Sequence, residues 1–197
     1  MSGPGVKPGV LALQGAFREH REVLDALGLD AVEVRTPEQL SGIDALFLPG
    51  GESTTITKLL HSSGLVEPLR AALAVGLPVF GTCAGLIVLA SDQRDQHGVV
   101  DEPLFGVLDV TVLRNGYGTQ LDSFEAPLRI REIEGTFPGV FIRAPVIESA
   151  AEGVDVLATH DGAPVLVRQG RVWAATFHPE LSGDLRLHQR FLQEVGT

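Results

Sequence analysis

The sequence is short of cysteine, of aromatic residues and of long apolar runs, and each shortage excludes something. Cys83 is the only cysteine in 197 residues. No internal disulfide can form, and a lone thiol in a chain without an export signal fits a reducing compartment. The opening Met1-Ser2-Gly3-Pro4-Gly5 has no basic stretch followed by an apolar one, so it does not read as a secretory signal. Apolar residues come in short blocks, none reaching the ~18 in a row that a membrane helix needs. Lys and Arg number 15 against 25 Asp and Glu, giving a net charge of −10, and they are scattered. With no basic cluster and no aromatic ladder, nucleic acid is not an expected partner. These absences predict a cytoplasmic protein with neither membrane nor nucleic-acid partners.

What is present predicts a folded enzyme. The chain is 44% hydrophobic with a mean hydropathy of +0.20, too apolar for disorder. Its length predicts one domain over residues 1–197, with 1–8 as a flexible lead-in. The first half alternates apolar blocks with amphipathic stretches. Val10–Leu13, Ala31–Val34, Ala45–Leu48 and Leu77–Phe80 read as buried strands. Helices are expected over Phe17–Leu27, from Ser53 or Thr54 onward, over Val66–Ala74, and after Cys83. This alternation implies an α/β fold with a mostly parallel central sheet and flanking helices. The second half reads as extra strands: Val107–Leu113, Leu128–Ile133, Val140–Ile142, Val154–Ala158, Val165–Val167 and Arg171–Phe177. A last helix is expected over Gly183–Val195. The stretch Ser91–Pro103 reads as loop.

Three segments could carry chemistry. Gly81-Thr82-Cys83-Ala84-Gly85 is G-x-C-x-G between a strand and a helix, the setting of a nucleophile elbow. The tight turn lifts the thiol to a strand tip, and the new helix offers free N–H groups beside it. A buried structural cysteine is the alternative, and the strand–turn–helix context argues against it. His178-Pro179-Glu180 supplies a base and an orienting acid. In an extended segment residues two apart point the same way, so both side chains are expected to project together from a strand end. Pro49-Gly50-Gly51-Glu52-Ser53 lies between a strand and a helix. Its glycine N–H groups, with that of Ala84, could hold an oxyanion, while Ser53 suits a helix cap. A phosphate loop is discounted because the Walker lysine and spacing are missing. No cluster has metal-ligand spacing. Among the other histidines, His20, His61 and His188 are expected on helix surfaces and His97 in a loop. His160, in His160-Asp161-Gly162, reads as a hairpin turn.

Taken together, these segments resemble the glutaminase subunits of pyridoxal 5'-phosphate synthase, within the class I (triad) glutamine amidotransferases. The likeness runs through Gly9–Gly15, Pro49–Thr55 and Gly81–Ile87. It continues through Arg114–Gly118 with Gln120, Asp122–Glu125, Phe141–Pro145 and Phe177–Leu181. It spans nearly the whole chain. The elbow and His-Pro-Glu belong to the wider class, and the middle segments to this subunit. The resemblance implies a flavodoxin-like fold with Cys83 as nucleophile, His178 as base and acid, and Glu180 as orienter. It implies that Gly50, Gly51, Glu52, Arg114, Ile142 and Arg143 contact glutamine, and that Gly51 and Ala84 form the oxyanion hole. It also implies ammonia transfer to a synthase subunit in a hetero-oligomeric complex, no cofactor on this chain, and activation by the partner through a reorienting Gly50–Gly51 peptide. Thr119 stands where the family commonly has Arg, and Gly116 where a small non-glycine residue is usual. Alternatives are a glutaminase serving another amidotransferase, an inactive regulatory subunit, and a thiol hydrolase of the α/β-hydrolase type. That last class places its acid well before its histidine, whereas Glu180 follows His178.

Overall fold

The computed structural model describes residues 5–95, 98–99, 104–114 and 123–195. In chain order, β1 (Pro8–Leu11) leads to α1 (Phe17–Ala26), β2 (Val32–Val34), a single turn of helix α2 (Pro37–Leu40) and β3 (Ala45–Leu48). Helices α3 (Ser53–Ser62) and α4 (Val66–Ala74) follow, then β4 (Val79–Thr82) and α5 (Ala84–Leu89). The strand-rich half comprises β5 (Ala90–Asp95), β6 (Gly98–Val99), β7 (Leu108–Leu113), β8 (Ser123–Leu128), β9 (Phe137–Ile142) and β10 (Val146–Ala150). It continues with β11 (Asp155–His160), β12 (Ala163–Gln169) and β13 (Val172–Ala175), and α6 (Arg186–Val195) closes the chain. None of the described helices is long and apolar enough to cross a membrane.

The main sheet has the order β11-β12-β13-β4-β3-β1-β2. Its pairs from β2 to β13 are parallel, and β12 and β11 extend it antiparallel. The parallel part is the expected flavodoxin-like arrangement. The chain leaves β1 toward β2 on one side and returns to β3 on the other, so a crevice opens beyond the carboxyl ends of β1 and β3. Strand alternation divides the core between the two faces of the sheet. Leu46, Leu48 and Val79 pack with Ile56 and Leu60 of α3, Leu69 of α4 and the α5 side chains. Val10, Phe47, Phe80 and Trp173 pack with Leu24 of α1 and Leu187, Phe191 and Leu192 of α6. Among the described residues, β10-β7-β5-β6 form a second sheet and β8-β9 a separate pair.

Several expectations need correction. The stretch Ser91–Pro103, read as loop, begins as strand: β5 pairs parallel with β7 and antiparallel with β6. Its polar residues fit because few of its side chains need burial; Gln93 turns inward among them. The strand expected over Leu128–Ile133 stops at Leu128. There the chain turns, with Glu132 at φ 75° and the Ile133 N–H donating to Ile130. β10 and α2 have no counterpart among the expected elements. Within the expected lead-in, Pro8 already belongs to β1 and the Lys7 N–H donates to the Asp44 carboxylate. The hairpin reading of His160-Asp161-Gly162 holds. Asp161 (φ 49°) and Gly162 (φ 82°) take the two left-handed positions between β11 and β12. Residues His97, Gly116, Thr119 and Gln120 lie outside the described residues.

Candidate active site

Cys83 sits where β4 turns into α5. Its φ is 51° and ψ −102°, a conformation that L side chains rarely adopt. The backbone is held there by the Cys83 N–H donating to the Ala175 carbonyl at 2.8 Å. The turn is tight enough to require glycine after it. A Cβ on Gly85 would stand 2.1 Å from the Leu48 carbonyl oxygen of the neighbouring strand. The flanking glycines of G-x-C-x-G thus let α5 start hard against β3.

His178 arrives from β13, and its N–H donates to the Val140 carbonyl on β9 at 2.8 Å. It does not lie in the strand, which ends at Ala175. His178 caps a one-turn 3-10 helix, Pro179–Leu181, so the helical turn brings Glu180 back under the imidazole. The expected pairing is present, with His178 Nδ1 2.8 Å from Glu180 Oε1, though a turn achieves it rather than strand alternation. Cys83 is the imidazole's other close neighbour and acts on its proton affinity. Burial alone lowers the His178 pKa, but the bonds to Cys83 and Glu180 outweigh it and push it up to about 10. Burial likewise raises the Glu180 carboxyl, yet the facing His20 and His178 rings hold it below its usual value. The result is a buried imidazolium–carboxylate pair beside the Cys83 sulfur.

Gly50 and Gly51 bring a third backbone segment over this pair. A Cβ on Gly50 would lie 2.3 Å from His178 Cε1 and 3.2 Å from Cys83 Cβ, so only glycine fits. The Gly50 carbonyl accepts from the Ala16 N–H at 3.0 Å, which turns the Gly51 N–H the other way across the peptide plane. Glu52, not Ser53, caps α3. Its carboxylate accepts from the N–H groups of Thr54 (3.0 Å) and Thr55 (2.7 Å), and its own N–H donates to Gln14 Oε1 at 2.9 Å. Hydrogen bonds to Thr55, the strongest influence, lower the Glu52 pKa to about 2.

A cleft of about 420 Å³ opens over Cys83 and His178. Gly50, Gly51, Glu52, Arg114, Ile142 and Arg143 all line it, so the structure gathers every residue expected to contact glutamine. Arg114 hydrogen-bonds Thr54 Oγ1 at 3.0 Å and stands 3.9 Å from the Glu52 carboxylate. Arg143 is exposed at the rim with φ 42°, a second unfavourable backbone angle beside the cleft. Ala84, at the first position of α5, is buried behind the thiol. Gln14 lines the cleft too and was not singled out from sequence. Its place directly after β1, at the carboxyl edge of the sheet, was the available signal.

The second layer departs from expectation. His20 and His188, expected on helix surfaces, are both fully buried. His20 Nε2 lies 3.1 Å from Thr82 Oγ1, and His20 Nδ1 lies 3.0 Å from His188 Nε2. Periodicity held the signal: His20, Val23, Leu24 and Leu27 share one stripe of α1, and His188, Phe191, Leu192 and Val195 one stripe of α6. His61 is exposed, as expected.

The model of the SNO glutamine amidotransferase family matches residues 10–197. A protein from Frankia alni named pyridoxal 5'-phosphate synthase subunit PdxT is 54% identical over 196 residues, covering 99% of this chain and 96% of its own. One of the same name from Geobacillus kaustophilus is 53% identical over 190 residues, covering 96% and 95%. A crystal structure of a glutamine amidotransferase superposes with a TM-score of 0.90 at 52% identity, over 98% of this chain and 100% of that one. A glutamine amidotransferase from Thermotoga maritima, at 12% identity and a TM-score of 0.61 over 98% of this chain and 85% of that one, shares the fold.

Proposed function

The chain belongs to the SNO glutamine amidotransferase family, and from that premise we propose its chemistry: it is the glutaminase subunit of a pyridoxal 5'-phosphate synthase, releasing ammonia from L-glutamine at Cys83. The observation that carries this reading is the line from Cys83 through His178 to Glu180 at the floor of a cleft.

Glutamine binds with its side-chain amide over the thiol. Arg114 and Arg143 offer guanidinium groups to its α-carboxylate, the geometry in which arginine binds best. The Cys83 sulfur attacks the amide carbon as the thiolate, its proton being the one that His178 carries, and the carbonyl electrons move onto oxygen. The N–H groups of Gly51 and Ala84 receive that oxyanion, each such donor contributing roughly 10²–10³ in rate. His178, held by Glu180, gives its proton to the departing nitrogen. Ammonia leaves, and a glutamyl thioester remains. His178, now neutral, takes a proton from water, whose oxygen attacks the thioester; the carbon–sulfur bond breaks, freeing glutamate and the Cys83 thiolate beside a recharged His178. Ammonia released into neutral water would be protonated and lose its nucleophilicity. A synthase subunit docked on this chain takes it up directly.

The test is Cys83→Ala mixed with a synthase subunit. Glutamine hydrolysis is expected to disappear, while synthesis of pyridoxal 5'-phosphate returns when ammonium salt is supplied. Glutamine hydrolysis persisting in the variant contradicts the assignment.

A further inference from the structure

The two buried histidines take no part in the steps above, yet they stand directly behind Glu180. Glu180 uses Oε1 on His178. Its other oxygen, Oε2, lies 3.5 Å from His20 Nε2 and has no hydrogen-bond partner of ordinary geometry among the described residues. His188 Nδ1 is the other unpartnered atom of this layer. Aromatic rings wall the pair. Phe47 stacks on His188 with centroids 5.3 Å apart and lies 5.5 Å from His20, and Phe80 lies 6.0 Å from His188. Burial keeps both imidazoles below their usual pKa, so each holds one proton on its ring nitrogens at neutral pH.

That leaves two arrangements for the protons. In the first, His188 carries its proton on Nε2 and donates to His20 Nδ1. His20 then carries its own on Nε2, facing the Thr82 hydroxyl and Glu180 Oε2. The unpartnered His188 Nδ1 is then only a lone pair. In the second, His20 donates from Nδ1 to His188, and a buried N–H on His188 Nδ1 has no acceptor. His20 Nε2 would also turn a lone pair toward a carboxylate oxygen. A buried donor without an acceptor costs about 1–3 kcal/mol, and the lone-pair repulsion adds to that. The first arrangement therefore prevails.

We propose that His20 is a positioning residue for the glutaminase reaction: its Nε2–H, in the tautomer imposed by His188, steadies Oε2 of Glu180 so that Oε1 stays aimed at His178. The proposal rests on the triad reading above. A carboxylate tied at one oxygen can swing about its last torsion, whose energy well is broad. The His20 Nε2–H, 3.5 Å away on the far side and shared with the Thr82 hydroxyl, opposes that swing by electrostatic attraction. The groups facing Glu180 are His178 on its own turn and His20 from α1, whose Nε2 also meets the Thr82 hydroxyl of β4. Behind His20 stands His188 from α6, and Glu19, which lines the cleft, acts on His20 only at longer range. Loss of the Nε2–H makes Glu180 easier to protonate, so the acid limb of kcat/KM moves to higher pH.

The experiment compares His20→Leu, His20→Gln, His188→Leu and Cys83→Ala, each assayed with glutamine in complex with the synthase subunit. His20→Leu is expected to lower kcat about 10-fold, the scale of a group one hydrogen bond behind the reacting residues. Its KM for glutamine stays within about twofold, because no contact to substrate is removed. Its acid limb moves up in pH. His20→Gln, which restores an N–H at the same reach, recovers most of the rate. His188→Leu releases the tautomer and gives an intermediate loss with the same direction of pH shift. Wild-type kcat and pH profile in His20→Leu overturn the proposal, as does a His20→Gln variant no better than His20→Leu. Should His20→Leu fail to fold, an unmoved acid limb in His188→Leu overturns it. Hydrolysis surviving in Cys83→Ala sinks the triad reading itself. An inactive Cys83→Ala beside an unaffected His20→Leu sinks only the role of His20.

Discussion

His178 carries a positive charge where water barely reaches, and that charge is tied to folding. Its pKa moves from 6.5 to about 10, against burial, through Cys83 and Glu180. The folded state therefore holds the proton more tightly than the unfolded chain. The stabilisation is fully present below about pH 6.5 and is lost as pH rises through about 10. Thermal unfolding of the wild type, followed by the fluorescence of the single buried Trp173, is expected to show a midpoint that falls over that window. His178→Gln is expected to flatten that fall, and an unchanged slope contradicts the assignment of the charge. Arg143 makes a separate prediction at the rim of the cleft. Removing a charged hydrogen bond to the substrate costs about 1.5–3 kcal/mol, so Arg143→Met is expected to lower kcat/KM roughly 10- to 150-fold, mainly through KM. Steady-state kinetics with glutamine in the complex decide it, and a fall confined to kcat argues against substrate binding there.

At the scale of elements, α3 depends on a cap that stands one residue earlier than residue type alone suggests. Ser53 is a good capping type, but the longer Glu52 side chain reaches Thr54 and Thr55 first and leaves Ser53 buried as the first helical residue. Glu52→Ala is expected to lower stability by about 1 kcal/mol in denaturant titration, the usual worth of a lost N-cap. The folded pKa of Glu52 is depressed to about 2, so its contribution is present above about pH 4.5 and fades as pH falls through about 2. Glu52 is more than half exposed, and solvent screening keeps that pH effect small. The strands of the parallel sheet were legible as continuous apolar runs because both their faces are covered. β5 was not, since its polar residues mimic a loop and only pairing with β7 makes it a strand. His178-Pro179-Glu180 was legible as a pair but not in its conformation. A 3-10 turn and a strand end both bring residues two apart within reach.

For the whole molecule, acid stability depends on the layer between α1, α6 and the main sheet. His188 is pushed down to about 3, first by burial and then by His20, while the unfolded chain keeps a value near 6.5. The unfolded state therefore binds more protons between these limits. This contribution to stability is complete above about pH 6.5 and is lost as pH falls toward about 3. His188→Leu is expected to weaken the acid-side loss of stability in urea titrations across that range, and an unchanged dependence rules His188 out as its source. The sequence by itself determined the α/β class, the elbow at Cys83, the partnership of His178 with Glu180, and the family. Each rests on local pattern: apolar runs, a glycine-framed turn, residues two apart, and motifs read in order. Only the tertiary structure decided what stands behind the triad. His20 and His188 are 168 residues apart in sequence and meet only because α1 and α6 cover the same face of the sheet. Whether a histidine on an amphipathic helix meets water or a carboxylate depends on what the rest of the chain packs against it.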